Sequence, residues 1–179
     1  MEHEGMRTPE INKERPMDVF NLGKLTIEQI TVLISALGAA YDADQRKPTG
    51  RPMDTAEEAM IDILGSDLTR LAEQEPDRAQ ELFLQLARVD DEWTKTFVIN
   101  TWPQPLMRHY AIDDPKRQEV IDQWVQLLDD DNFEVQGTAR DAMQEVVGAD
   151  WIDAPTASYL DSKLPGDWQA DAWKGWSES

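Results

Sequence analysis

Residues 26–41 read TIEQITVLISALGAAY, and this stretch decides the fold class. Its large apolar residues recur every three or four positions, at Ile27, Ile30, Leu33, Ile34, Leu37 and Tyr41. That spacing puts them on one face of an α-helix. Thr26 and Gln29 have capping-box spacing, which predicts that the helix begins there. Four smaller apolar residues widen the stripe: Val32, Ala36, Ala39 and Ala40. We therefore expect this helix to be central and largely buried.

Segments further along the chain show the same helical spacing, each with its own start signal. The predicted helices begin at or just after Asp54, Pro76, Asp91, Pro115, Asn132 and Pro155. Asp and Asn side chains cap free N–H groups at a helix start, and proline fits the first turn. The stripe predicted for the helix after Asp54 is Ala56, Met60, Ile63, Leu64, Leu68 and Leu71. No segment shows sustained alternation of apolar and polar residues, so no strand is predicted.

Proline, glycine and charge divide the chain into three parts. Residues 1–25 hold two prolines, many charges and scattered apolar anchors, which predicts an extended N-terminal arm. Residues 26–164 predict a single helical domain. Within it, the Pro- and Gly-containing loop at 45–53 carries three cationic residues and is expected to lie over an acidic helix. Residues 165–179 form a Trp-rich C-terminal tail.

Acidic residues dominate the charge. The 179 residues include 36 Asp and Glu against 17 Lys and Arg, a net charge of −19. Residues 54–179 hold 28 acidic and ten basic residues, whereas residues 1–53 are nearly balanced. Such a body repels nucleic acids and anionic membranes and attracts basic proteins or cations. Solubility, or adaptation to a salt-rich environment, explains the same charge without a partner, so both interpretations stay open.

Cysteine is absent, which excludes disulfides, thiolate nucleophiles and cysteine-ligated zinc. The polar opening MEHEG is not followed by the apolar core of a signal peptide. The longest apolar stretch, residues 30–41, is interrupted by polar residues and is too short to span a bilayer. We therefore expect a cytoplasmic protein that does not bind membranes.

Residues 127–135, LLDDDNFEV, are followed by Ala139, Ala142 and Met143. With two leucines ending one helix, acids in a tight turn, and Val and Ala on the next helix, this segment resembles a HEAT repeat. A shift of 40 residues aligns Asp90, Asp91, Trp93 and Ile99 with Asp130, Asp131, Phe133 and Ala139. A shift of 41 aligns Ala79, Phe83 and Leu86 with Val120, Trp124 and Leu127. The resemblance covers residues 76–147, and it implies an α-solenoid that binds proteins across a concave face.

These patterns together predict an all-α fold. One helix pair cannot bury its own apolar face, so neighbouring pairs must pack against each other. We expect antiparallel helix pairs, stacked as a short HEAT-like α-solenoid or packed as an irregular helical bundle.

Residues that perform catalysis or bind metals are scarce. The two histidines, His3 and His109, have no positioned nucleophile near them in the sequence. Asp129, Asp130 and Asp131 offer carboxylates, but the run lacks the alternating acids, glycine and distal glutamate of an EF-hand loop. We interpret it as a turn between helices whose acids are candidate partner contacts. No glycine-rich phosphate motif is present, and we predict no enzyme activity, no cofactor and no metal.

The tail places three of the seven tryptophans within nine residues, at Trp168, Trp173 and Trp176. Exposed indoles would lower solubility, so we expect these three to be buried. One interpretation is that the tail folds back as a cap over an open end of the helical stack, as terminal repeats require. The other is that the indoles insert into a groove of a partner protein, since tryptophan is enriched at binding hot spots.

Three classes of function follow. The preferred hypothesis is a non-enzymatic adaptor or assembly factor that binds another protein through an apolar groove with a polar rim. The alternative is an acidic inhibitor, either a nucleic-acid mimic or an immunity protein that neutralises a basic nuclease-like target. An enzyme whose site has no recognisable signature is the third. Direct binding of nucleic acid is not expected.

Overall fold

The computed structural model describes residues 20–45 and 55–166, and all the regular structure in them is helical. The α-helices are α1 (Ile27–Gln45), α2 (Thr55–Gln74), α3 (Pro76–Leu86), α4 (Glu92–Thr101), α5 (Pro103–His109), α6 (Pro115–Gln126), α7 (Phe133–Val147) and α8 (Ala154–Lys163). Short 3-10 helices lie at Leu22–Lys24 and Leu127–Asp129. The all-α prediction is confirmed for this part of the chain. Apart from Gln45, the predicted cationic loop lies outside the described residues.

Two of the predicted capping residues, Thr26 and Asn132, cap their helices. The Thr26 N–H donates to Gln29 Oε1 at 2.9 Å and the Gln29 N–H donates to Thr26 Oγ1 at 3.3 Å, so the capping box forms. At the starts of α4, α6, α7 and α8, backbone N–H groups donate to the side chains of Asp91, Asp114, Asn132 and Asp153 respectively. Each cap satisfies an N–H group that the helix leaves unpaired. Asp54, the predicted cap of α2, lies outside the described residues.

The prediction that α1 is central is wrong. Its buried face consists of Ile30, Ile34 and Leu37. On the other side Ala36 and Ala39 are exposed, and Val32 is 69% exposed. Helix α1 packs against α2, α3 and α4 with one face only. Packing on one side needs an apolar stripe only about 100° wide, so the extra small residues stay outside the core.

Helix α1 approaches α4 through a glycine. Gly38 is buried, and a Cβ atom at this position would overlap the Trp93 side chain. The Tyr41 ring meets the same indole edge-on, with the ring centroids 6.0 Å apart. Ser35 donates a 2.6 Å hydrogen bond to Asp91, the N-cap of α4. The missing side chain at Gly38 therefore sets how closely these two helices approach.

Two consecutive helix pairs lie side by side, with α3 packed against α6 and α4 against α7. Buried residues of the first pair have buried counterparts 41 positions later: Ala79 and Val120, Phe83 and Trp124, Leu86 and Leu127, Val98 and Ala139, Trp102 and Met143. The N-caps Asp91 and Asn132 are also 41 positions apart. The shift of 40 predicted for the second helices is therefore one residue too short.

Helix α2 packs against α3 and α5 and is tied to the end of α4. Trp102 is fully buried and donates its indole N–H to the Leu68 carbonyl oxygen at 2.7 Å. Leu64 and Leu68 are buried as predicted, but Met60 is 39% exposed. The prediction of Met60 as a core residue is wrong. Residues 58–60 are all exposed, so this part of α2 lies outside the core.

The last residues of the predicted N-terminal arm belong to the helical body. Leu22 is buried in the core, and its short 3-10 helix packs on α2. The Phe20 N–H donates to buried Asp67 at 2.9 Å, and Asp67 also pairs with Arg70. Residues 1–19, the rest of the predicted arm, lie outside the described residues.

A buried arginine joins α5, α6 and α8. Arg117 is 4% exposed and donates to the Met107 carbonyl oxygen at 3.1 Å, to Thr156 Oγ1 at 3.0 Å and to Asp153 at 2.6 Å. Burial alone would raise the pKa of Asp153, but hydrogen bonds from Thr156 and Arg117 lower it to about 2. Helix α8 is therefore anchored at its first turn by an ion pair that stays charged at neutral pH.

Candidate protein-binding groove

The predicted acidic turn braces the two helix pairs. Asp130 pairs with Lys95 of α4 at 2.7 Å, and both side chains are mostly buried. Asp130 also accepts the Asn132 N–H at 3.0 Å. Burial acts to raise the pKa of Asp130, but these two partners hold it below its ordinary value. This carboxylate is committed to contacts within the chain.

Asn132 completes the brace. Its Oδ1 accepts the N–H groups of Glu134 at 2.9 Å and Val135 at 3.3 Å, and its Nδ2 donates to Glu92 of α4 at 2.6 Å. Asp129 and Asp131 are exposed. Of the three predicted partner-binding aspartates, these two face solvent, and their role in binding stays a prediction.

The other predicted binding residues, Trp168, Trp173 and Trp176, lie outside the described residues.

His109 is exposed at the end of α5, with its ring edge-on to Tyr110. Within residues 20–45 and 55–166, no three His, Asp or Glu side chains lie close enough together to hold a metal ion.

An open groove runs along α2, and we call it the α2 groove. It consists of two adjoining clefts of about 690 and 520 Å³ that share Thr69 and Glu73. Helix α2 supplies one wall through residues four apart, at 61, 65, 69 and 73. Phe97, Asn100 and Thr101 of α4 and Gln104 and Arg108 of α5 form the other wall.

The α2 wall of the groove carries small residues whose polar groups have hydrogen-bond partners. A Cβ atom added at Gly65 would meet nothing within 4 Å, so the space above it is open. Ser66 donates its hydroxyl to the Asp62 carbonyl oxygen at 2.8 Å, and Thr69 donates to the Gly65 carbonyl oxygen at 3.0 Å. An apolar occupant would therefore displace water here without leaving these hydroxyls unpaired.

Some charged side chains at the groove contact other residues of the chain, and others face solvent. Arg70 pairs with buried Asp67, and the Arg108 guanidinium lies over the Trp151 ring, 4.4 Å from its centroid. Asp62 and Glu73, in contrast, are exposed. The rim therefore offers carboxylates to an incoming group, which favours a basic one.

The groove was not predicted from the sequence. Its walls come from α2 and from α4–α5, and nothing in the sequence specifies which faces of separate helices will adjoin. The one local signal is the cluster of small residues at 65, 66 and 69 in the middle of α2. These small residues indicate a face of α2 with little side-chain volume, but they do not indicate which helices adjoin it.

No described helix combines the length and apolarity needed to cross a membrane. Comparisons with protein-family models, with curated proteins and with solved structures gave no significant match.

Proposed function

We propose that this chain is a non-enzymatic protein-interaction module that binds a basic, helical segment of another protein in the α2 groove. The observation that carries the proposal is the groove itself. From residue 61 to residue 73 it follows α2 for about 18 Å, or three helical turns. Grooves between helices commonly take an amphipathic helix by its apolar face.

Charge supports a basic partner. Residues 54–179 carry a large acidic excess, which speeds encounter with a positively charged protein. Exposed Asp62 and Glu73 at the rim place part of that charge beside the occupant. The apolar contribution comes from Ile61 and Phe97, which are partly buried at one end of the groove.

A HEAT-like arrangement is part of the proposal. The packing of α3 on α6 and of α4 on α7, with buried residues recurring after 41 positions, is what stacked helix pairs would give. Repeat proteins of this kind present extended surfaces to other proteins. We place the protein in the cytoplasm on sequence grounds alone.

The acidic inhibitor remains a second candidate because of the net charge. A mimic of nucleic acid needs free carboxylates in the positions of phosphates. On the α3–α6 surface several acids are engaged within the chain: Asp77 with Lys116, Glu81 with Arg78, and Glu119 with Gln80. These contacts favour the interaction module over the mimic.

The test is affinity capture from the native host at low and high salt with three baits. These are the unmodified chain, Gly65→Arg, which fills the groove, and Ala36→Arg, which adds the same side chain to the exposed face of α1. We expect a basic partner that Gly65→Arg loses and Ala36→Arg retains. A partner retained by both variants would refute the groove. A basic nuclease released by salt from all three baits would favour the inhibitor.

A further inference from the structure

The two ends of the α2 groove differ in charge and in hydrogen-bonding capacity. The end lined by Ile61 and Phe97 carries the exposed carboxylate of Asp62. Four side chains of the α4–α5 wall line the other end, which we call the donor end: Asn100, Gln104, Arg108 and His109. Each of them can donate an N–H group, and arginine has donors only. The donor end is therefore suited to an acceptor, whereas the opposite end is suited to a cation.

The nitrogen atoms of the donor end are free to bind an incoming group. Within residues 20–45 and 55–166, none of its four side chains makes a hydrogen bond or an ion pair. The hydroxyls of Thr69 and Thr101, which line the same end, instead donate to carbonyl oxygens of their own helices at 3.0 and 2.7 Å. The free donors therefore all belong to the α4–α5 wall.

Arg108 is the charged member of the donor end, and an aromatic ring holds it in place. Its guanidinium lies 4.4 Å from the centroid of the Trp151 ring, and Trp151 packs against the hydrophobic core. A cation–π contact leaves the guanidinium its N–H groups, which pair readily with a carboxylate. Glu73 also lines this end, yet in the described part of the chain no carboxylate oxygen lies within 4.0 Å of the Arg108 nitrogens.

The acceptor that fits the donor end best is the side-chain carboxylate of an acidic residue. Arginine binds a carboxylate through two parallel hydrogen bonds, and amide N–H groups can donate to the remaining lone pairs. A helical partner pairs its backbone carbonyl oxygens within its own helix, so a side chain has to supply the acceptor.

We propose that the partner segment carries, besides its basic residues, one Asp or Glu side chain that binds Arg108, with Asn100 and Gln104 beside it. This inference rests on the proposed function and narrows the partner to a helix with opposite charges at its two ends. A basic residue lies beside Asp62 and the acidic residue lies beside Arg108. The two are separated by about three helical turns, or roughly 11 residues.

The probes that test this are amphipathic helical peptides of roughly 18 residues, built from leucine, alanine and lysine. Both termini are blocked, so the only carboxylate is that of one glutamate near one end, and a matched peptide has glutamine at that position. A second matched pair places the residue near the other end, because the groove does not fix the direction of the partner. Fluorescence anisotropy at physiological salt gives the affinities for the unmodified chain, for Arg108→Gln and for Arg78→Gln. The last is a charge-matched control on α3, where Arg78 pairs with Glu81.

Net charge and the proposed carboxylate site predict opposite signs. A chain with a net charge of −19 repels a carboxylate, so long-range charge alone would make the glutamine peptide bind more tightly. If the carboxylate binds Arg108, the glutamine peptide binds more weakly by about fivefold in one of the two directions. We expect this loss with the unmodified chain and with Arg78→Gln, but not with Arg108→Gln. A loss that persists in Arg108→Gln, or no loss in either direction, would overturn the proposal.

Two further variants distinguish failure of this inference from failure of the proposed function. Gly65→Arg fills the α2 groove, and Ala36→Arg adds the same side chain to the exposed face of α1. If Gly65→Arg alone abolishes peptide binding but the glutamate has no effect, the groove is supported and only the carboxylate site is refuted. If the peptides bind both variants equally, they occupy another surface, and both the carboxylate site and the groove are refuted.

Discussion

Substituting glycine by alanine at three helical positions should change stability with opposite signs. Gly38, Gly65 and Gly137 lie in α1, α2 and α7, and alanine favours a helix over glycine by about 0.5–1 kcal/mol. At Gly65 and Gly137 the added methyl meets nothing within 4 Å. Gly65→Ala and Gly137→Ala should therefore each stabilise the protein by roughly that amount.

At Gly38 the added methyl would overlap three atoms of Trp93, including its own Cβ. The Cβ atom is fixed to the backbone, so rotating the indole cannot relieve the clash, and α1 must move away from α4. Overpacking of a core contact costs about 1–3 kcal/mol, which exceeds the helix-propensity gain. We expect Gly38→Ala to destabilise by about 1–2 kcal/mol and to lower the melting temperature by about 2–4 °C for each kcal/mol.

Urea and thermal unfolding, followed by circular dichroism at 222 nm, would measure all three variants. The control for the mechanism is Trp93→Ala, because it removes the two ring atoms that the methyl would overlap most and leaves only the contact with the Cβ atom of residue 93. In that background Gly38→Ala should cost less, giving a coupling free energy of about 1–2 kcal/mol between the two positions. A Gly38→Ala protein as stable as Gly65→Ala would refute the close approach of α1 to α4.

Three further predictions concern polar contacts. Since the pKa of Asp153 is lowered to about 2, its charge stabilises the fold above about pH 4 and this contribution is lost as the pH falls toward 2. Asp153→Asn, which keeps a cap, should cost about 1–2 kcal/mol at pH 7 in urea unfolding and much less at pH 2, where about half of the Asp153 carboxylates are protonated; an equal cost at both pH values would contradict this. Lys95→Met should cost about 1–3 kcal/mol by leaving the mostly buried Asp130 without its ion-pair partner, and adding Asp130→Asn should restore part of that loss. Asn132→Ala should cost about 1 kcal/mol through loss of the α7 cap, whereas Asn132→Ser, which keeps a cap and places no charge beside Glu92, should cost less; equal losses would show that the cap is not the cause.

The sequence predicted what depends on neighbours along the chain. The Thr26–Gln29 capping box and the Asn132 cap form because each involves atoms within three residues of one another. The buried stripes of α3 and α6 follow from helical periodicity in the same way. Local spacing is sufficient for features that one helix determines by itself.

What the sequence did not predict depends on which helices adjoin. Val32 and Ala36 have the apolarity of core residues, yet they are exposed because no described helix packs on that side of α1. The ion pair between Lys95 and Asp130 was not predicted, because Lys95 lies 35 residues earlier in the chain and reaches Asp130 only once α4 and α7 are side by side. The α2 groove likewise exists only after α2 meets α4 and α5.

The contacts of helix α4 explain why the α2 groove is already formed. Trp93 fixes α4 to α1, Lys95 fixes it to the turn before α7, and Trp102 ties its end to α2. The remaining side, with Phe97 and Thr101, forms a wall of the groove. A wall held on three sides loses little conformational entropy when a partner binds, so more of the contact energy contributes to affinity.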